Sequence, residues 1–276
     1  MKAPLFQVDA FTTRRFAGNP AAVMLLDAYP ADDVLRAVAA ENNLSETAFL
    51  VRDGADYRLR WFTPAVEVPL CGHATLASAA VVMERLEPGR TSVTFHGASG
   101  PLPVARTPAG YVLDFPARPS EPVAEADVVA RIAAALGVVP QEVRANAFTY
   151  LAVLESAAQV RALAPDLAAV KRLDRPGLIV TAPGQEAQGS GAAGNEAGGF
   201  DMVSRYFAPA KGIDEDPVTG AAHTTLAPYW AARLGKARLA AFQASARGGE
   251  MTCTLKDDRV LLEGACVFFL DGTAEI

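Results

Sequence analysis

Leu5 to Phe11 alternates apolar and polar positions as a strand does, and Gly18-Asn19-Pro20 turns the chain into a second apolar run, Ala21 to Leu26. Pro30 and Asp32 open a helix with Val34, Leu35 and Val38 on one face, ending near Asn42-Asn43. Strands follow at Glu46 to Arg52 and Tyr57 to Thr63, parted by Asp53-Gly54. Ala74 to Val82 is apolar on nearly every side, the pattern of a helix buried all round. Thr91 to Phe95, Leu102 to Arg106 and Tyr111 to Phe115 read as further strands. Pro116 to Pro122 carries three prolines and no period, which makes it the candidate linker.

Beyond it, Ala126 to Leu136 is an amphipathic helix stopped by Gly137. Phe148 to Leu154 and Gly177 to Thr181 are strands, with a helical pair between them over Ala157 to Arg172, broken by Pro165. A second apolar helix starts near His223 and ends at Gly235; Pro228 inside it cannot donate to the Thr224 carbonyl. Strands at Leu239 to Ala244, Met251 to Leu255, Val260 to Glu263 and Cys266 to Leu270 close the chain.

Letters repeat as well as patterns. Arg60-Trp61-Phe62-Thr63-Pro64-Ala65 recurs as Arg205-Tyr206-Phe207-Ala208-Pro209-Ala210, and His73-Ala74-Thr75-Leu76-Ala77 as His223-Thr224-Thr225-Leu226-Ala227. Matching histidine to histidine leaves five extra residues in the second copy, within its acidic stretch. So long a period implies two similar lobes rather than a stack of short repeats. The expected architecture is α+β: two pseudo-symmetric lobes, each a mostly antiparallel sheet wrapped around a central apolar helix. Their bounds are 1–117 and 123–265, with the last strand, about 266–276, a candidate to return to the first lobe.

Composition narrows the partners. A chain of 276 residues that is 51% hydrophobic can bury a substantial core. Its net charge of −6, with no run of Lys or Arg, offers no footprint for nucleic acid or an anionic membrane, so a small molecule is the expected partner. Cys71, Cys253 and Cys266 are an odd set without C-x-x-C spacing, indicating neither a disulfide framework nor a zinc site and fitting a reducing cytosol. No uncharged apolar run approaches the roughly 20 residues of a membrane span. A cytoplasmic protein is expected.

Candidate chemistry collects at two helix starts. Gly212 to His223 sets Asp214, Glu215 and Asp216 before a Pro and a Thr-Gly turn that opens a helix, where unpaired amides attract anions. Asp216 is either a cap for those amides or a group that orients a ligand. Cys71-Gly72-His73 sits at the other start; a core cysteine and a backbone-satisfying histidine are the structural alternatives. The histidine match places His73 and His223 at equivalent positions. Glu46 sits at a strand start with apolar neighbours on one side, and from spacing alone reads as a solvated strand end. Gly189 to Gly194 satisfies G-x-G-x-x-G, but no helix pattern follows, so a hairpin loop is expected rather than a dinucleotide turn.

Gly18-Asn19-Pro20-Ala21-Ala22-Val23, Asn43 to Phe49, Cys71-Gly72-His73-Ala74-Thr75, Ser204 to Pro209, Glu215-Asp216-Pro217-Val218-Thr219-Gly220 and Arg247-Gly248-Gly249 together resemble the PhzF family of phenazine biosynthesis-like proteins, of the diaminopimelate epimerase-like fold. The resemblance implies an active site in the cleft between the lobes, a homodimer, and neither metal nor organic cofactor. The characterised member is an isomerase that moves a proton within a cyclic, hydroxylated, diene-bearing amino acid. Carried over by motif, Glu46 resembles its acid/base. His73 and Asp216 resemble residues that hold and polarise substrate, Gly72 and Gly220 supply backbone amides, and Asn19 and Ala221 fall in the substrate-binding blocks. Where that member has Ser after the Thr-Gly, this chain has Ala221, which bears on which polar group of a substrate is recognised. Epimerases of the wider fold use one cysteine from each lobe; only Cys71 is available here. The leading expectation is a cofactor-independent isomerase acting on a small carboxylate. Its rivals are a Cys71-dependent epimerase or dehydratase and a non-catalytic binding protein.

Overall fold

The structure, a computed structural model, describes residues 1–184 and 199–276. The G-x-G-x-x-G segment lies outside the described residues. The chain divides into two compact units, Met1–Asp114 with Leu261–Ile276, and Phe115–Val260. Among the described residues no helix is long and apolar enough to cross a membrane.

The first unit runs β1 (Lys2–Ala10), β2 (Asn19–Leu26), α1 (Asp32–Asn42), β3 (Glu46–Asp53), β4 (Asp56–Phe62), β5 (Glu67–Val68), α2 (Gly72–Val81), β6 (Ser92–Gly97), β7 (Gly100–Thr107) and β8 (Gly110–Pro116). Strands β1 to β4 pair in sequence, antiparallel except for β2 with β3. β4 then pairs parallel with β6, and β6 antiparallel with β7. Each parallel pair needs a crossover, which α1 and α2 supply. α2 packs on β1, β2 and β3, and every residue from His73 to Val81 is buried, as its all-apolar pattern requires. Helix α1 buries Leu35 and Ala39, with Val38 partly buried against the same core. Val34 is exposed, because the buried stripe runs i to i+4 from Leu35 and Val34 lies about 100° away. Asn43 ends α1 in the left-handed region, donating to the Ala39 carbonyl at 3.1 Å, and turns the chain into β3.

The second unit runs β9 (Glu121–Pro122), α3 (Ala126–Leu136), β10 (Glu142–Ala145), β11 (Thr149–Val153), α4 (Ala157–Ala162), α5 (Leu167–Lys171), β12 (Gly177–Pro183), β13 (Met202–Ala208), β14 (Ile213–Glu215), α6 (Gly220–Leu234), β15 (Arg238–Gln243) and β16 (Gly249–Lys256). Its pairings repeat those of the first unit. β10, β11, β12, β13, β15 and β16 stand in for β1, β2, β3, β4, β6 and β7, with the same alternation of antiparallel and parallel neighbours. β17 (Arg259–Gly264) leads back to the first unit, where β18 (Cys266–Glu275) pairs antiparallel with β1.

The acidic stretch is not only a loop. Its Ile213–Glu215 portion is a short strand on β13, as β5 is on β4. Arg60 forks onto Glu67 with two bonds of 2.7 Å, and Arg205 forks onto Glu215 at 2.7 and 2.9 Å. One bidentate pair thus clamps the short strand in each unit. Inside α6, the Thr224 carbonyl that Pro228 cannot satisfy accepts instead from the Arg118 amide at 3.0 Å.

Candidate active site

The shared clamp resets the internal alignment. Glu67-Val68-Pro69-Leu70-Cys71-Gly72 corresponds to Glu215-Asp216-Pro217-Val218-Thr219-Gly220, and Cys71 and Thr219 are the N-caps of α2 and α6. His73 is therefore equivalent to Ala221, and His223 to Thr75; the histidine-to-histidine match is two residues out of register. Hydrogen bonding agrees with the new register. The Thr75 hydroxyl donates to the Cys71 carbonyl at 2.5 Å, and His223 Nδ1 lies 2.7 Å from the Thr219 carbonyl, each reaching back one turn. The extra residues of the second copy precede its acidic triplet, at the turn Pro209–Lys211.

In the first unit the fold brings Asn19, Glu46, Cys71 and His73 together. Gly18 introduces β2 with φ of +68°, and a Cβ there would meet the Ala10 carbonyl oxygen at 2.2 Å, so only glycine delivers Asn19 to its place. Asn19 is fully buried; its Oδ1 accepts from the Ser45 hydroxyl at 3.2 Å, which turns its Nδ2 towards His73 Nδ1 at 3.1 Å. Burial pushes the His73 pKa down to about 3, so the ring is neutral. With Nδ1 accepting from Asn19, the ring proton sits on Nε2. Nε2 lies 3.2 Å from Glu46 Oε2, close enough to pair but without the alignment of a hydrogen bond. Catalytic contacts in ligand-free enzymes commonly tighten only around substrate. The arrangement sets a neutral N–H donor beside a carboxylate acceptor, with the Cys71 sulfur 3.5 Å from His73 Nδ1 on the same ring. Gly72, half-buried, begins α2 and offers one of its unpaired first-turn amides.

In the second unit Asp216 is tied to the residue that caps α6. Its Oδ2 accepts from the Thr219 hydroxyl at 2.6 Å, and Thr219, the N-cap, gives the helix no side-chain bond. Gln243, buried at the end of β15, organises this turn. Its Oε1 accepts from the Thr219 amide at 2.8 Å, and its Nε2 donates to the Asp216 carbonyl at 2.7 Å and to the Thr219 hydroxyl at 3.1 Å. The Asp216 carboxylate is thereby held two bonds from a buried amide. Gly220 is buried at the helix start and Ala221 is exposed. His223 Nδ1 donates to the Thr219 carbonyl, leaving Nε2 without a hydrogen-bond partner among the described residues; burial lowers its pKa to about 4. Gln243→Ala is expected to cost about 1–3 kcal/mol by stranding the Thr219 amide and the Asp216 carbonyl. Urea denaturation checks it as a lowered midpoint at unchanged slope.

Neither Ser45 nor Gln243 was signalled by sequence as a site residue, since each acts through a long-range contact. The Thr219 role was legible, through the Glu-x-Pro-x-x-Gly correspondence with Cys71.

A family model described as phenazine biosynthesis-like protein (PhzC-PhzF) matches residues 8–272. A protein of Pseudomonas aeruginosa named as an uncharacterized isomerase is 47% identical over 276 residues, covering 100% of both chains. The crystal structure of a phenazine biosynthesis protein of the PhzF family from Enterococcus faecalis superposes with a TM-score of 0.90 at 41% identity, covering 100% of both chains. A predicted epimerase of Pseudomonas aeruginosa, 21% identical, shares the fold with a TM-score of 0.71 over 99% of both chains.

Proposed function

Because the chain belongs to the phenazine biosynthesis-like (PhzC-PhzF) family, we propose that it is an isomerase that shifts a proton on a small carboxylate-bearing substrate without a cofactor. Glu46 takes the proton from one carbon and returns it to another. The observation that carries the assignment is the buried Glu46–His73 contact of 3.2 Å, with the ring oriented from behind by Asn19. A neutral imidazole held as the Nε2–H tautomer donates to a substrate oxygen without competing for the proton that Glu46 moves. The first amides of α2, from Gly72 onward, favour the negative charge of a carboxylate or of the carbanion that forms as the proton leaves. Asp216, Gly220 and Ala221 are assigned to substrate binding, with Ala221 offering no hydroxyl to a polar substituent. The reading includes a homodimer, which light scattering tests, and action in the cytoplasm.

The experiment incubates the protein in D2O with a panel of small carboxylates, cyclic diene-bearing amino acids among them, and follows deuterium at carbon by NMR and mass spectrometry. Isomerised, deuterated product supports the assignment; binding without C–H exchange or rearrangement removes it.

A second reading moves the chemistry to Cys71, whose sulfur shares the His73 ring at 3.5 Å. The two are separated by Cys71→Ala. Less than about tenfold loss of turnover is expected if Glu46 is the base, because general acid/base action supplies about 10²–10⁴ to the residue that performs it. A loss in that larger range assigns the proton to the thiol.

A further inference from the structure

We propose that Glu46, Cys71 and His73 form a binding site for a thiophilic divalent cation of the zinc class, and that the bound cation takes the Glu46–His73 pair out of proton transfer. The inhibitory half rests on the reading of Glu46 as acid/base; the binding half does not.

One carboxylate oxygen, one thiol sulfur and one imidazole nitrogen lie within 4.8 Å of one another, on three buried residues. One separation already matches a coordination shell, the 3.2 Å from His73 Nε2 to Glu46 Oε2, while the Cys71 sulfur stands 3.5 Å from the other ring nitrogen, Nδ1, and has to close towards the Nε2 side. Zinc bonds of about 2.0–2.3 Å at tetrahedral angles set neighbouring ligand atoms roughly 3.3–3.8 Å apart. Closing the triad on an ion thus asks for movements of roughly 1 Å, within reach of side-chain torsions. Cysteine spacing along the chain gave no sign of this site, because the ligands come from β3, the N-cap of α2 and its first turn.

The donor set selects the ion. Magnesium and calcium take oxygen ligands, whereas a mixed sulfur, nitrogen and oxygen set suits zinc or cobalt. Three protein ligands leave the fourth position open, as in sites that exchange a water or small ligand. Coordination removes the thiol proton outright.

The surrounding shell accommodates the change of tautomer. When Nε2 binds the ion, the ring proton moves to Nδ1. Asn19 then turns its amide so that Oδ1 accepts from Nδ1–H and Nδ2 donates to the Ser45 hydroxyl, both already within 3.1–3.2 Å. The same two residues hold the imidazole in either state, as outer-shell partners of metal-bound histidines do.

The test titrates the chelator-treated full chain with Co²⁺ and reads absorption. A thiolate-to-cobalt charge-transfer band is expected, saturating near one ion per chain and displaced by Zn²⁺. Cys253→Ala and Cys266→Ala should keep it, Cys71→Ser should lose it, and Asn19→Ala should weaken Co²⁺ binding by about 10- to 100-fold. No band in the unmodified chain, or a band that survives Cys71→Ser in a folded protein, overturns the site. If Cys71→Ser does not fold, alkylation of the unmodified chain decides: one equivalent of Zn²⁺ should slow modification at Cys71, and an unchanged rate overturns the proposal. Both readouts are independent of catalysis. Their failure leaves the Glu46 assignment standing, and a failed acid/base leaves the cobalt band in place. Where both hold, Zn²⁺ should suppress deuterium exchange and chelation should restore it.

Discussion

Glu46→Gln is expected to lower the rate of proton exchange by about 10²–10⁴-fold, the usual contribution of a positioned acid/base. Glutamine keeps the shape of the side chain and leaves an oxygen beside His73 Nε2, 3.2 Å away in the parent, but it cannot accept a proton from carbon. The fold and ligand affinity should therefore stay close to those of the parent. Calorimetric binding and a urea midpoint measured on the same preparation separate loss of chemistry from loss of structure. A drop of less than about tenfold would move the proton to another group, with Cys71 next in line.

Acidification should destabilise the protein steeply between about pH 6.5 and pH 4, well before its carboxylates are all protonated. His73 and His223 have pKa values lowered from 6.5 to about 3 and about 4 by burial. Well above pH 6.5 both are neutral in folded and unfolded chains and contribute no pH dependence. As pH falls below that value the unfolded chain takes up two protons that the folded chain refuses, so stability falls. The limiting slope is about 1.4 kcal/mol per pH unit for each histidine. It flattens as pH passes through the folded values and the native rings protonate. Asp32, Glu87, Glu142 and Asp174, held low by arginine or tyrosine partners, add a loss of the same sign at lower pH. Urea denaturation from pH 7.5 to 4.5, compared between the parent and His223→Gln, isolates one histidine. The variant should lose about half of the slope between pH 6 and 5. An unchanged slope would mean that His223 protonates in the native state.

Sequence revealed what local periodicity encodes. The stop of α3 at Gly137, the all-round burial of α2 and the position of Pro228 are each decided within one helix, and the structure has them where the pattern puts them. Val34 was misplaced because an apolar residue beside a stripe looks the same in sequence as one within it. β10 carries no alternating pattern, because Val143 is its one well-buried residue, between Glu142 and Arg144. The repeat was visible, but its register depended on which residues were matched. Histidine is the rarer letter, yet the Arg–Glu clamp and the two N-caps show that the backbone correspondence runs through Glu67 and Glu215. Contacts that span long stretches of chain, Asn19 to His73 and Gln243 to Thr219, carry no periodic signal, although they are what orients the ring and the Asp216 turn.

The proposed reaction breaks and remakes a C–H bond, and NMR of a bound small carboxylate in D2O reads that directly. A rearranged product carrying deuterium at the carbon that receives the proton is the predicted result. A ligand that binds with calorimetric heat yet returns from D2O unrearranged, with every C–H intact, would contradict it.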